Sequence, residues 1–463
     1  MNATLIAIAA YVLAQLGIGW YVSRRITTED DYLVAGRSLG YVVATFTIFA
    51  TWFGAETCIG AAGEIYTNGL SGGSADPFGY AICLFAMGLF LAVPLWRLRL
   101  TTMGDLFHRR YGRTVERIAV LLMAPTSLLW AAAQIRAFGQ VISASSGLAV
   151  DLTISLAALI VILYTMFGGL LADAWTDTIQ GVALMVGLAV LFILFIGDVG
   201  FDGFAAVDPS RLNPFPLEKE GILSLVEKWA IPVCGSLMAA ELVSRIIATR
   251  SPQVARRSSL MAGGVYLLFG MIPVAIGLVG ATILPGLTEP EHLLPMIAQR
   301  YLPGVLYALF AGALVSAILS TVDSALLVAS SLISHNLIVP LRPGMSEKRK
   351  VQIARGGVAL LGVIAYILAI HAQGVHDLVE EASSFGSAGI FVVVLFGLFG
   401  KFGGKRSAVA ALLVGLLVWI LAAYVFKPEL PYLISLGSAF LAYLAFGLIE
   451  REERKSKQTT EAI

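Results

Sequence analysis

Apolar runs close to the length of a membrane crossing recur along the whole of this 463-residue chain. A helix needs about 20 such residues to cross a hydrocarbon layer roughly 30 Å thick. Only helices and closed barrels satisfy their own backbone hydrogen bonds in lipid, and the alternating pattern of a barrel is absent here. The composition agrees: 58% of residues are hydrophobic and 13% charged, against about 25% charged in a typical soluble domain. The sequence therefore predicts an all-α polytopic membrane protein. One membrane domain fills residues 1–449, and a charged tail at 450–463 follows it.

Thirteen spans are expected, near 3–22, 41–67, 74–96, 115–147, 150–168, 172–197, 222–248, 257–284, 303–334, 350–372, 377–400, 407–426 and 431–449. The first resembles a secretory signal in length. It runs into Arg24 and Arg25 without a clear small-residue cleavage site, so it reads as a retained span. With the N-terminus outside, 25 of the 31 Lys and Arg residues fall on inner loops and the tail, five on outer loops, and Arg136 within a span. That asymmetry predicts an N-outside, C-cytoplasmic protein of the plasma (inner) membrane, in contact with lipid. The net charge of +1 gives no reason to expect nucleic acid. Cys58, Cys83 and Cys234 lie in apolar segments and read as small buried residues. The histidines form no metal-ligand spacing.

The chemistry is concentrated in Ser316-Ala317-Ile318-Leu319-Ser320-Thr321-Val322-Asp323-Ser324. Hydroxyls and a carboxylate inside an apolar span mark an ion or substrate path by default, and hard oxygens on one or two turns suit a bare Na⁺. A second signal is interruption. The span at 41–67 carries Thr51-Trp52-Phe53-Gly54-Ala55-Glu56-Thr57, and the span at 222–248 carries Pro232-Val233-Cys234-Gly235-Ser236. Weak points at matching places in two halves are pointers to a transporter's binding site. Their spacing suits two inverted five-helix repeats, at about 41–197 and 222–400, with one extra helix before and two after.

These residues resemble the sodium:solute symporter family, of LeuT-like fold. The stretch Asp31 to Gly40 is similar to its "YxxAGRSL" segment. Gly168-Gly169 with Trp175-Thr176-Asp177 and Gln180 is similar to its "GG…WTDxxQ" signature, and Ser244-Arg245 with Ala248 to the end of its sixth core helix. Ser320-Thr321 resembles its sodium-binding pair. The resemblance implies a Na⁺ site formed by the carbonyls of Ala50, Phe53 and Ala317 and the hydroxyls of Ser320 and Thr321. In some members a second Na⁺ site exists, which here would use Asp177, Ser320, Ser324 and Asp323; Asp323 otherwise hydrogen-bonds neighbouring helices.

Local stretches around Trp52, Trp130 and Ser320 resemble choline-transporter-like members, and Asp377 to Gly386 resembles proline-transporter-like ones. Trp52 and Trp130 would form two walls of a cage for an ammonium group. The further Trp expected near Ala239 is absent. Arg136 reads either as a clamp for a substrate carboxylate or as an ion-pair partner of Glu56 or Glu241. Thr57, Gln134 and these two glutamates complete the candidate substrate set.

The expected function is Na⁺-coupled symport of a small zwitterion, carboxylate or amine by alternating access. A transporter-like sensor acting through a separate partner is the alternative. No nucleophile–base pair or metal centre stands out, so no enzymatic activity is expected.

Overall fold

The computed structural model describes residues 28–461 except Ala55, Phe167, Gly168 and Gln373, and isolated positions before residue 28. The expected first span at 3–22 and Gly168 of the glycine pair lie outside the described residues. Among the described residues the protein is helical, with no β-strand. One isolated bridge pairs Leu39 with Thr249, tying the approach to the first core helix to the exit of the sixth.

In chain order the helices that frame the site and its surroundings are α1 (Tyr41–Trp52), α2 (Arg113–Ser146), α3 (Val150–Thr165), α4 (Leu170–Ala205), α5 (Leu217–Ala230), α6 (Ala240–Ile247), α7 (Pro252–Ile283), α8 (Gly304–Ile333), α9 (Glu347–His371), α10 (Val375–Ser384), α11 (Ser387–Phe399), α12 (Lys405–Ile420) and α13 (Pro431–Glu461). Among the described residues, eight helices are long and apolar enough to cross a membrane, or ten if each of two bent pairs is one span. Two apolar helices, Tyr41–Trp52 and Val150–Leu163, are shorter. By this criterion the expected thirteen is not reached: the first span is not described, and the second is cut by a break.

That break follows α1. Phe53 leaves the helical region at φ −81, ψ 84, and the chain resumes as a wide π-type turn over Glu56–Ala61, a feature frequent at functional sites. Phe53 anchors the break by stacking on Phe49 at 4.5 Å and meeting Tyr266 edge-on at 5.2 Å.

The second expected break is displaced. Pro232 to Gly235 remain wound, in a π-type turn over Ile231–Gly235 that carries the proline in its first turn and tolerates its missing N–H. The chain instead turns at Ala239, which is extended at φ −57, ψ 128, and the two segments meet at 42°. A further break, not expected from the sequence, separates α10 from α11, again by 42°. There Gly386 takes the left-handed φ of +65 that glycine adopts without penalty. The broken elements touch: a β-carbon on Gly235 would lie 2.1 Å from the Ser383 carbonyl oxygen.

At the centre stands α8, buried along most of its length and packed against α2, α4 and α9. Its hydroxyl-rich stretch therefore faces protein rather than lipid. α12 and α13 pack mainly on one another, and only 28% of the apolar window of each is buried. An apolar membrane helix with so exposed a face is suited to lipid contact.

Candidate functional site

The Thr321 hydroxyl lies 3.2 Å from the Ala50 carbonyl at the end of α1 and 3.1 Å from the Ala317 carbonyl one turn earlier on α8. One O–H cannot satisfy two carbonyls at once, so the group has more acceptor than donor capacity. This is the oxygen-rich setting that a hard monovalent cation requires. Ser320, beside Thr321 and fully buried, donates to the Asp177 carboxylate, which also accepts from Thr47. Gly54 closes this corner: a β-carbon there would sit 3.5 Å from Thr321 Oγ1 and 3.8 Å from both the Ala317 carbonyl and Gln134 Oε1.

Deeper in the bundle, α4 and α8 bring three carboxylates together around one guanidinium. Arg245 meets Asp173 at 2.5 Å with both side chains wholly buried, and Ser324 donates to the same Asp173 oxygen at 2.6 Å while accepting from Arg245. Arg245, counted among the inner-loop charges from the sequence, is thus a core residue. Ser324 belongs to this pair rather than to Asp177. Asp323 is buried, and neither of its carboxylate oxygens has a hydrogen-bond partner among the described residues.

On the other side of the break lies a chamber of aromatic rings and acids. Trp52 stands 5.2 Å from Tyr80 and 6.3 Å from Trp130, and Tyr80 lies 6.2 Å from Trp130. Each ring approaches the other two, so the expected pair of walls has a third, Tyr80, which sequence reasoning missed. Glu56 is buried beside them. Thr57, next in sequence, donates to Asp76 Oδ2 at 2.6 Å, and Tyr266 donates to the same oxygen at 2.9 Å.

Asp76 was overlooked although it opens the expected span 74–96, where an ionisable group is itself a signal. Tyr80, Tyr266 and Asp173 lie on three other elements and become neighbours only through packing. A cavity of about 370 Å³ leads to Glu56 and Tyr80, lined also by Ser383, His376, Glu380 and Lys228.

Two further candidate substrate residues have partners of their own. Arg136, partly buried on α2, donates to the Ala369 carbonyl at 3.3 Å and lies near Glu291. Glu241, on α6, is buried against Ser127. Gln134 faces the break, and its Oε1 has no hydrogen-bond donor among the described residues.

The arginine-rich end is closed by a polar network. His335, just beyond α8, bridges Glu29 at 2.9 Å and Asp105 at 3.4 Å, while Lys350 approaches Glu29 at 3.3 Å. Burial pushes the Glu29 carboxyl up, but His335 and Lys350 outweigh it and hold it below the ordinary 4.5. Burial also raises Asp105, and His335 with the Thr101 and Thr102 amides brings it below 3.8.

A model of the sodium:solute symporter family matches residues 32–415. High affinity choline transporter 1 of Homo sapiens is 29% identical over 440 residues, covering 90% of this chain and 76% of its own. Osmoregulated proline transporter OpuE of Bacillus subtilis is 26% identical over 444 residues, covering 90% and 88%. Among solved structures, a Na⁺-coupled sialic acid symporter in a substrate-bound outward-open state gives a TM-score of 0.85 at 20% identity, covering 97% of this chain and 98% of its own. MhsT in complex with L-phenylalanine gives 0.59 at 15% identity, covering 89% and 98%. These two likenesses are of fold, and the fold is the LeuT-like one that the sequence resemblance implied.

Proposed function

The chain belongs to the sodium:solute symporter family, and on that premise we propose that it imports a small organic solute carrying a positively charged nitrogen, driven by Na⁺. Members of such a family are transporters rather than enzymes. Na⁺ binds to the carbonyls of Ala50, Phe53 and Ala317 and the hydroxyls of Ser320 and Thr321, bridging the broken helix to α8. The observation that carries this reading is the Thr321 hydroxyl lying within 3.2 Å of carbonyls on both helices. Asp177 and Asp323 are the candidates for a second ion, with Ser324 withdrawn toward Asp173.

The solute sits against Trp52, Tyr80 and Trp130. Aromatic faces attract a desolvated cation by about 2 kcal/mol or more, and Glu56 supplies negative charge. Arg136 takes no part in this reading, because like charges repel and a cationic solute gains nothing from a guanidinium. Choline and proline, named for the two relatives, both contain a cationic nitrogen.

The cavity reaching Glu56 from the end opposite the arginine-rich loops supports an outward-facing state, with the N-terminus outside and the C-terminus cytoplasmic. Inward movement of one Na⁺ contributes roughly 2.3 kcal/mol per 100 mV, and rocking of the bundle about the midplane exposes the site to either side.

The test is uptake into proteoliposomes under an inward Na⁺ gradient, with labelled choline, proline and ethanolamine. Uptake that disappears in K⁺ medium and in Thr321→Ala is the expected result. Uptake indifferent to both overturns the reading.

A further inference from the structure

Three buried carboxylate oxygens in the aromatic chamber lack a hydrogen-bond donor among the described residues: both of Glu56 and Oδ1 of Asp76. The fourth oxygen of the two groups, Asp76 Oδ2, already accepts from Thr57 and Tyr266. Glu56 is 1% exposed and Asp76 2%, so bulk water cannot solvate them. A buried acceptor without a donor loses its hydration with nothing in return, and the loss is greater for an ionised one. The two acids interact electrostatically, and the Tyr80 hydroxyl interacts with the Glu56 carboxylate without the geometry of a full hydrogen bond. That hydroxyl is shared with Ser383 at 3.2 Å.

The rings alone would favour a methylated ammonium, which has no N–H and needs no acceptor. The acids reverse that preference. A primary ammonium carries one positive charge and three N–H donors, matching three acceptors that have none, and charge-assisted hydrogen bonds are about twice as strong as neutral ones. A quaternary nitrogen would occupy the same rings and leave all three oxygens without a donor. On the α6 side, Ala239 adds no aromatic wall to the rings.

We propose that Glu56 and Asp76 form an acid pair that binds the primary ammonium group of the solute and selects it over its quaternary counterpart. This rests on the reading of the aromatic chamber as the solute site. Thr57 and Tyr266 are positioning residues, holding Asp76 through Oδ2 and leaving Oδ1 without a donor among the described residues.

The test compares ethanolamine, N,N-dimethylethanolamine and choline, which share one skeleton. Binding to the purified full chain in Na⁺ buffer is followed by thermal stabilisation. Ethanolamine is expected to bind about tenfold or more tightly than choline, with the dimethyl compound between them. In Glu56→Gln and in Asp76→Asn that ratio collapses toward one, and retained stabilisation by Na⁺ reports that each variant is folded.

Choline binding as tightly as ethanolamine overturns the acid-pair proposal and leaves Na⁺-coupled cation uptake standing. A ratio unchanged in both variants also overturns it, and points to a proton as what the acids hold. If neither amine binds, the proposal falls together with the cationic-solute reading. The Na⁺ response in the same samples then separates loss of solute binding from loss of sodium coupling.

Discussion

Arg245 and Asp173 meet at 2.5 Å with neither side chain exposed, joining α6 to α4 in the middle of the bundle. Removing one partner of a buried ion pair typically costs about 3–5 kcal/mol. Asp173→Leu and Arg245→Met are each expected to lose stability on that scale, and the double variant Asp173→Leu with Arg245→Met to regain most of it. Thermal and chemical unfolding in detergent, analysed as a double-mutant cycle, measures the coupling.

Gly54→Ala tests the sodium position without removing a ligand. The added methyl would sit 3.5 Å from Thr321 Oγ1, an ordinary contact, so the fold is expected to survive. The methyl crowds the space between that hydroxyl and the helix break. Apparent Na⁺ affinity should fall by about tenfold, or ~1.4 kcal/mol, read from the Na⁺ dependence of uptake. Unchanged affinity would move the ion elsewhere.

Trp130 and Arg136 lie six residues apart on α2 yet have separate surroundings. Trp130→Leu removes one wall of the aromatic cluster and is expected to weaken solute binding by about 30-fold, equivalent to ~2 kcal/mol. Arg136→Ala is expected to leave binding of a cationic solute within about twofold, since a guanidinium that bonds the Ala369 carbonyl offers a cationic solute no attraction. Competition against labelled uptake checks both. A severe loss in Arg136→Ala restores the carboxylate-clamp reading.

The network at the arginine-rich end makes stability depend on acid. The folded-state pKa values of Glu29 and Asp105 lie below 4.5 and 3.8, so both groups bind protons more weakly folded than unfolded. Their contribution is complete above about pH 5 and is lost as the pH falls through the depressed values. His335→Gln removes the shared partner, so the variant should be less stable near pH 6 and change less between about pH 5 and 3. Unfolding midpoints of the purified protein across that range provide the measurement.

Much of the site was legible in the chain because membrane depth makes polar residues conspicuous. Ser320, Thr321 and Glu56 are costly in an apolar run, the Phe53–Gly54 interruption lies inside one, and Asp177 entered through the family signature that its stretch resembles. The same reasoning placed the second break three or four residues early, at Pro232–Ser236, because a π-type turn can absorb a proline that a regular helix cannot. It missed the Phe385–Gly386 break, since a single glycine in an apolar run is equally compatible with close packing. Arg245 was misplaced among loop charges because its partner, Asp173, lies 72 residues away.

What the sequence determined by itself was the helical membrane architecture and the hydroxyl pair on α8, which follow from local periodicity, length and the expense of polarity in lipid, together with the family, which its ordered motifs resemble. Only the tertiary structure decided which groups meet. It brought Tyr80 to Trp52 and Trp130, set Asp76 against Thr57 and Tyr266, gave Ser324 to Arg245, and turned Arg136 to Ala369. Side-chain partnerships of this kind depend on how distant helices cross and where they break, and no local pattern of residues carries that information.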